Sequence, residues 1–234
     1  MFERQHHQRI AHVLQALDGP LLSGHGCLFA GGTAIALRHG EYRESVDMDF
    51  LVSHLPGYRA LRQSLTAARS LAPITRPGHL LSLARELRAD QYGLRTLVLM
   101  DGVAIKLEIV HEARITLDAP AIDDALCGVP TLTRLDMAAS KLLANSDRWA
   151  DDAVYSRDLI DLAMMQPGRS LLRRAIDKAT AAYGQSVQAD LAKAIARLRE
   201  RPGRLEACRQ ALRMHGVPAA LLWARIRRLQ AWAA

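Results

Sequence analysis

The sequence has 234 residues, of which 50% are hydrophobic and 24% are charged, a balance typical of globular proteins. This length can bury the core of one large domain or two small ones, and no apolar run reaches the length of a membrane span. The cysteines Cys27, Cys127 and Cys208 form no Cys-x-x-Cys pair, which argues against a disulfide scaffold and indicates buried thiols. Since the first residues also include no apolar targeting segment, we expect a cytoplasmic protein without a membrane partner.

The net charge of +7 is distributed unevenly along the chain. From Arg169 onward there are 14 Lys and Arg residues against four Asp and Glu, so this part carries +10 and residues 1–168 carry −3. An acidic part followed by a basic part indicates a polyanionic partner laid across both. A solvated, arginine-rich helical surface would give the same pattern.

The first predicted element is an amphipathic helix over residues 3–18, where apolar side chains recur at helical spacing up to a break at Asp18-Gly19-Pro20. A short apolar run at residues 27–30 then predicts a buried strand. This strand ends at Gly31-Gly32, and the spacing becomes helical from Thr33. Two glycines let an anion approach the backbone closely, and the amides at the start of a helix attract phosphate.

Two carboxylates follow on a second predicted strand. Over residues 45–52 apolar side chains alternate with Asp47 and Asp49, so a strand places both aspartates on one face. Two unpaired carboxylates are costly to bury, and a divalent cation would offset their charge. Mg²⁺ commonly binds one or two protein carboxylates together with substrate phosphates. Taken alone, either the Asp-x-Asp motif or the diglycine turn would be weak evidence for a functional site.

Apolar spacing predicts a second helix over residues 56–69, and Asp101-Gly102 between two alternating stretches predicts a β-hairpin of residues 94–100 and 103–110. The second hairpin strand carries Lys106 and Glu108 on one face. A carboxylate on a strand that is otherwise apolar needs a partner. Glu108 is the third acid of a metal site if this strand lies beside that of the two aspartates, and otherwise half of an exposed ion pair with Lys106.

The chain from Thr131 onward is predicted to be helical. Thr133 and Asp136 resemble a capping box at the start of a helix through Leu143. Proline and glycine breakers separate five further predicted helices, near residues 154–166, 170–183, 187–201, 204–215 and 218–232. We therefore predict an α+β protein, with a small mixed sheet flanked by helices in residues 1–130 and an all-α bundle in residues 131–234.

Two segments in residues 29–52 carry a resemblance to a known family. Gly-Gly-Thr-Ala-Ile-Ala-Leu-Arg38 is followed by Arg43-Glu-Ser-Val-Asp-Met-Asp-Phe. A Gly-Gly turn followed by Asp-x-Asp is similar to the pattern of nucleotidyltransferases related to DNA polymerase β. More narrowly, the two segments resemble the AbiEii/AbiGii toxins of type IV toxin–antitoxin systems. The resemblance implies a polymerase β-like domain, an NTP substrate, Mg²⁺ or Mn²⁺ as cofactor, and a cognate antitoxin.

The same resemblance suggests which residues form the site. The metal would be held by Asp47, Asp49 and Glu108, and the β- and γ-phosphates by Gly31, Gly32 and Thr33. Ser45 and Arg43 lie just before the aspartates, at the entrance of the metal-binding strand. Arg43 or Lys141 could neutralise triphosphate charge.

Two later residues match the last motif of that family, a lysine and a downstream aspartate in a segment of the type Arg-Asp-x-x-Asp-Leu. These residues, Lys141 and Asp158, would close over the nucleotide and take part in catalysis. Asp161 and Asp147 are rivals for the role of the aspartate. Structural ion pairs, such as one between Arg157 and Asp161, are the alternative.

Three functions remain open from the sequence. The first is a toxin that transfers NMP from an NTP to the 3′ end of an RNA, above all tRNA, with the basic part of the chain contacting RNA phosphates. The second is transfer of AMP to a hydroxyl of a protein or of a small molecule such as an antibiotic. The third is a module that binds an antitoxin without catalysis.

Overall fold

A computed structural model of the chain describes residues 2–232 and divides them into two compact units. One unit comprises the chain up to Arg38 together with Val46–Thr133. The other comprises His39–Ser45 and the chain from Arg134 onward. Among residues 2–232, no helix combines the length and the apolar character that crossing a bilayer requires.

The first unit is built on a five-stranded mixed sheet in the order β1-β2-β5-β4-β3. Its strands are β1 (Leu28–Ala30), β2 (Met48–Val52), β3 (Ser82–Ala89), β4 (Gly93–Met100) and β5 (Val103–His111). Strands β2 and β5 are parallel, and the other neighbouring pairs are antiparallel. The predicted hairpin is confirmed as β4 and β5, because Asp101 and Gly102 both adopt positive φ and Met100 pairs with Val103.

Four helices complete this unit: α1 (Gln5–Ala16), α2 (Gly19–Gly24), α3 (Gly31–Arg38) and α4 (Leu55–Ala68). The segment at Asp18, predicted to end the first helix, also starts the next one. The Asp18 side chain accepts a hydrogen bond from the Leu21 amide at 3.0 Å, and Pro20 lies in the first turn. Both features are favourable at a helix N-terminus, so the same residues stop α1 and cap α2.

One face of the sheet is buried and the other is partly open. The buried face is lined by apolar side chains that alternate with more exposed ones along β2, β4 and β5; they include Met48, Phe50, Leu94, Val98, Ile105, Leu107 and Ile109. This alternation is expected of a sheet with one face on the core. The other face carries Asp49, Arg95, Lys106 and Glu108. The sheet therefore presents its charged residues together on its open side. A further short ladder pairs β6 (Ala125–Leu126) with β7 (Val129–Pro130).

The second unit is helical from Arg134 to the end of the described chain, which confirms the prediction of an α+β protein with a helical C-terminal part. Its α-helices are α5 (Arg134–Arg148), α6 (Arg157–Met165), α7 (Arg169–Tyr183), α8 (Ser186–Glu200), α9 (Arg204–Ala211) and α10 (Ala219–Leu229). Asp136 does more than begin a helix, because its buried carboxylate pairs with Lys178 on α7. Helix α9 ends at Ala211, earlier than the predicted boundary at residue 215.

Candidate active site

The strand register brings two of the predicted acids together. Asp49 on β2 is the direct partner of Glu108 on the parallel strand β5. Partners in adjacent strands point to the same face of a sheet, so the two carboxylates project from the same side. Asp47 immediately precedes β2. The condition under which Glu108 could act as a third acid, a position beside the aspartate strand, is therefore met.

The diglycine bend lies directly against Asp49. Strand β1 is antiparallel to β2 and ends with Ala30 opposite Asp49, and α3 starts at the next residue. Gly31 has a φ of +73°, and a Cβ on this residue would overlap Oδ2 of Asp49 and lie 3.0 Å from its Cβ. The Thr33 hydroxyl donates a hydrogen bond to the backbone carbonyl of Asp47. The bend and the acidic strand thus form one site that only glycine can complete at position 31.

Two cations hold the carboxylate of Glu108. Arg95 Nε donates to Oε1 at 3.0 Å, and Lys106 Nζ lies 2.8 Å from Oε2. Burial lowers the pKa of Lys106, but the pair with Glu108 and the nearby charges of Asp47 and Asp49 raise it overall. Among residues 2–232, no three His, Cys, Asp or Glu side chains are arranged to hold a metal ion. Glu108 therefore engages basic side chains in this structure, and its role as a metal ligand stays a prediction.

The chemistry of the remaining donors suits a hard divalent cation. Asp47 and Asp49 offer carboxylate oxygens, the ligand type that Mg²⁺ and Mn²⁺ prefer, and Mg²⁺ needs only one or two of them from a protein. Because Gly31 has no Cβ, the carboxylate of Asp49 can lie directly against the bend. The two aspartates carry the oxygen ligands that such an ion needs, and Glu108 would have to exchange its ion pairs to join them.

Lys141 and Asp158 belong to a buried ion network within the second unit. Lys141 Nζ lies 2.9 Å from Oδ1 of Asp158 and 2.7 Å from Oδ2 of Asp161. Arg43 binds Asp161 through both Nε, at 2.6 Å from Oδ1, and Nη2, at 2.9 Å from Oδ2. Arg148 binds both oxygens of Asp158. Each carboxylate in this network therefore has two basic partners.

Asp161 is the most deeply enclosed member of this network, with an exposed fraction of 0%. It also accepts a hydrogen bond from the Tyr42 hydroxyl at 2.6 Å. Burial raises the pKa of Asp161, but the charges of Arg43 and Lys141 lower it below its ordinary value. The pKa of Asp158 is lowered in the same way by Lys141 and Arg148, against the effect of burial. Both aspartates are thus held in the charged form.

Three other predicted residues lie in different surroundings. Asp147 accepts a hydrogen bond from the Tyr183 hydroxyl at 2.8 Å. Ser45 and Gly32 are both half-buried. Arg95, Arg148 and Tyr42 contact the predicted site residues and were not predicted from the sequence. The register of the predicted hairpin could have placed Arg95 opposite Glu108. No sequence pattern marks Tyr42.

The fold has a relative among solved structures. A candidate nucleotidyltransferase from H. pylori matches with a TM-score of 0.52 and 16% sequence identity, covering 96% of this chain and 93% of that one. JHP933 from Helicobacter pylori gives a TM-score of 0.42 at 17% identity, covering 99% and 97%, too low a score to support an argument. The first likeness concerns the fold alone. A search of proteins with curated functions finds no match in sequence.

A mixed sheet with a diglycine bend set against an Asp-x-Asp strand is the arrangement of a nucleotidyltransferase, which is the class of enzyme predicted from the sequence. The family model described as nucleotidyl transferase AbiEii toxin, type IV TA system, matches residues 14–229. This match spans most of the chain, and the protein belongs to that family. The family and the enzyme class predicted from residues 29–52 are both confirmed.

Gly31 offers a matched test of the contact with Asp49. Gly31→Ala should slow nucleotide transfer by about 100-fold, since displacing a reacting group by roughly 1 Å can cost that much. Gly102→Ala is the control, because Gly102 has a φ of +75° but open space around its Cβ position. Both variants carry similar backbone strain, so only the contact with Asp49 differs. Equal rates of incorporation from a labelled NTP in the two variants would contradict the proposed contact.

Proposed function

We propose that this nucleotidyltransferase transfers NMP from an NTP to the 3′ end of an RNA, tRNA in particular, with Mg²⁺ or Mn²⁺ as cofactor. It would act in the cytoplasm as a toxin that a cognate antitoxin restrains. One observation supports the catalytic part above all: Asp49 lies beside Glu108 on one side and against Gly31 on the other. Carboxylates for a cation and a glycine bend for phosphates are therefore adjacent.

In the proposed reaction the 3′ hydroxyl of the acceptor attacks the α-phosphorus of the NTP. A new phosphodiester bond forms, the bond to the β-phosphate breaks, and pyrophosphate leaves as the hydroxyl loses its proton. A bound divalent ion would stabilise the charge on the phosphoryl oxygens. Asp47 and Asp49 would hold this ion. The glycines and Thr33 at the start of α3 would receive the β- and γ-phosphates, since free amides at a helix N-terminus bind anions.

Lys141, Asp158, Arg43 and Ser45 remain proposed participants around the nucleotide. In the structure, Lys141 and Asp158 neutralise each other, and Arg43 is bound to a carboxylate through two hydrogen bonds. Lys141 or Arg43 would therefore have to exchange an ion pair for a contact with the triphosphate. Bidentate binding to a buried carboxylate suits Arg43 best as a positioning residue, which fixes the segment His39–Ser45.

An RNA acceptor is proposed on the grounds of charge and family. The residues from Arg169 onward carry a net charge of +10, and nucleic-acid affinity arises largely from contacts between basic side chains and phosphates. The protein also belongs to a family of type IV toxins.

The acceptor class can be tested by incubating the purified protein and Mg²⁺ with each labelled NTP, once with total RNA and once with a protein lysate. We expect label in RNA of tRNA size, and none when the divalent ion is chelated. A labelled protein band beside unlabelled RNA would replace the RNA acceptor with a protein acceptor. Failure to bind any NTP with Mg²⁺ in calorimetry would favour a non-catalytic, antitoxin-binding role.

A further inference from the structure

The side chains on the open face of the sheet change from acidic near β2 to basic near β3. The strand registers align one residue from each strand across all five strands: Ala30, Asp49, Glu108, Arg95 and Arg88. Along this line, acids on β2 and β5 are followed by arginines on β4 and β3. The acidic site is therefore continuous with a basic region on the same face.

A second line runs beside the first one. Lys106 on β5 is the partner of Leu97 on β4, and Leu97 is the partner of Arg85 on β3. A register shift lies between Arg85 and Arg88, so both residues share the face of Arg95 despite their odd spacing. All four basic side chains are exposed. We refer to Arg85, Arg88, Arg95 and Lys106 as the basic strip.

The positive charges of this strip are not all paired with acids, and the imbalance lies at the β3 edge. Arg88 lies directly opposite Arg95, and like charges in that arrangement destabilise a sheet. Arg95 is compensated by Asp90, at 2.9 Å, and by Glu108. Among residues 2–232, no ion pair involves Arg85 or Arg88. Charges also protect an edge strand from pairing with another chain, but that role does not require one sign on one face. An anionic partner explains the pattern better.

The geometry separates two places for anions around the aspartates. The diglycine bend proposed for the triphosphate lies on the β1 side of Asp49, whereas the basic strip extends from β5 to the β3 edge. A second anion bound on the strip would therefore approach the acids from the side opposite the NTP. The turn between β3 and β4 adds Tyr92, whose side chain is 65% exposed and could stack on a base.

We propose that the basic strip binds the phosphate backbone of the acceptor RNA next to its 3′ end, and thereby directs the terminal hydroxyl toward Asp47 and Asp49. This inference rests on the proposed transfer to RNA. The basic helical part of the chain would contact RNA elsewhere. The basic strip would make the RNA contacts that lie nearest the reaction. Arg85 and Arg88 are the members best suited to contact phosphate, since they are not bound to acids.

The test measures binding of a fluorescent, single-stranded oligoribonucleotide with a free 3′ hydroxyl by anisotropy over a range of salt concentrations. The double variant Arg85→Ala, Arg88→Ala should bind about tenfold more weakly at low salt. Its salt dependence should fall by about 1.4 in slope, or about 0.7 for each lost phosphate contact. The control, Arg59→Ala with Arg69→Ala, removes the same charge from exposed positions on α4 and at its C-terminal end, and should leave the affinity within about twofold.

The inference is overturned if the sheet variant binds like the wild type, or if only the α4 control variant binds weakly. Arg85→Lys with Arg88→Lys should retain binding, which excludes a folding defect as the cause. NTP binding with Mg²⁺, measured by calorimetry on the same proteins, should not change. If the wild type labels RNA while the sheet variant binds it normally, the inference alone fails. If the wild type binds neither NTP nor RNA, the proposed function fails with it.

Discussion

The Asp49→Ala protein should lose nucleotidyl transfer by a factor on the order of 10³, comparable to removing a principal charge-stabilising group from an active site. Asp49 is the point at which the acidic strand, Glu108 and the diglycine bend meet. Without its carboxylate, one of the two proposed metal ligands is absent. Transfer is measured as incorporation of a labelled NTP into total RNA, and melting temperature reports whether the variant is folded.

A bacterial host gives the same test a biological readout. Expression of the wild type should arrest growth and leave extended RNA 3′ ends detectable by sequencing, whereas expression of Asp49→Ala should do neither. Asp177→Ala is the control, since Asp177 is an exposed acid on α7 that should not matter for activity. Asp49→Asn keeps the size of the side chain and separates loss of charge from loss of packing. Growth arrest of equal strength with Asp49→Ala would show that catalysis is not the cause.

The contacts around Glu108 could be predicted in part from local sequence. The two-residue turn at Asp101-Gly102 places Met100 opposite Val103, and counting back along both strands places Arg95 opposite Glu108. The sequence alone therefore specifies this contact within the hairpin. The parallel pairing of β5 with β2 was different, because no local pattern specifies which distant strands become neighbours. The sequence analysis stated this neighbourhood only as a condition for the role of Glu108, and the observed register meets that condition.

Other features had no signal in the sequence. Strand β3 was not predicted, because it is exposed on much of both faces and its register shifts interrupt the alternation of apolar and polar residues. The segment His39–Ser45 follows the first segment of the resemblance and includes the start of the second, yet its contacts place it with the helical unit. Its anchor is the pairing of Arg43 with Asp161, residues 118 positions apart. Pattern and propensity are local properties and cannot reveal such a pair.

That anchor leads to the largest expected effect on stability. Asp161→Ala should lower the free energy of unfolding by about 3–5 kcal/mol, the usual cost of removing one partner from a buried ion pair. The variant leaves Arg43, Lys141 and the Tyr42 hydroxyl in a buried site without the carboxylate that they share. Asp190→Ala is the matched control, because Asp190 is also largely buried but pairs with an exposed lysine at helical spacing, Lys193. Urea unfolding followed by circular dichroism compares the two.

The same ion network also determines how the free energy of unfolding changes at acidic pH. Because the pKa values of Asp158 and Asp161 are lowered in the folded protein, their stabilisation is complete above the unfolded aspartate value of about 3.9 and is lost as pH falls below it. Asp161→Ala removes one of these two contributions, so its urea midpoint should fall less steeply than that of the wild type between neutral pH and pH of about 3. If Asp161→Ala and Asp190→Ala had the same midpoint at neutral pH and the same acid dependence, the network would not stabilise the helical unit. Lys141 and Asp158 would then be free to serve the nucleotide without an energetic penalty, and the segment before Asp47 would need another anchor.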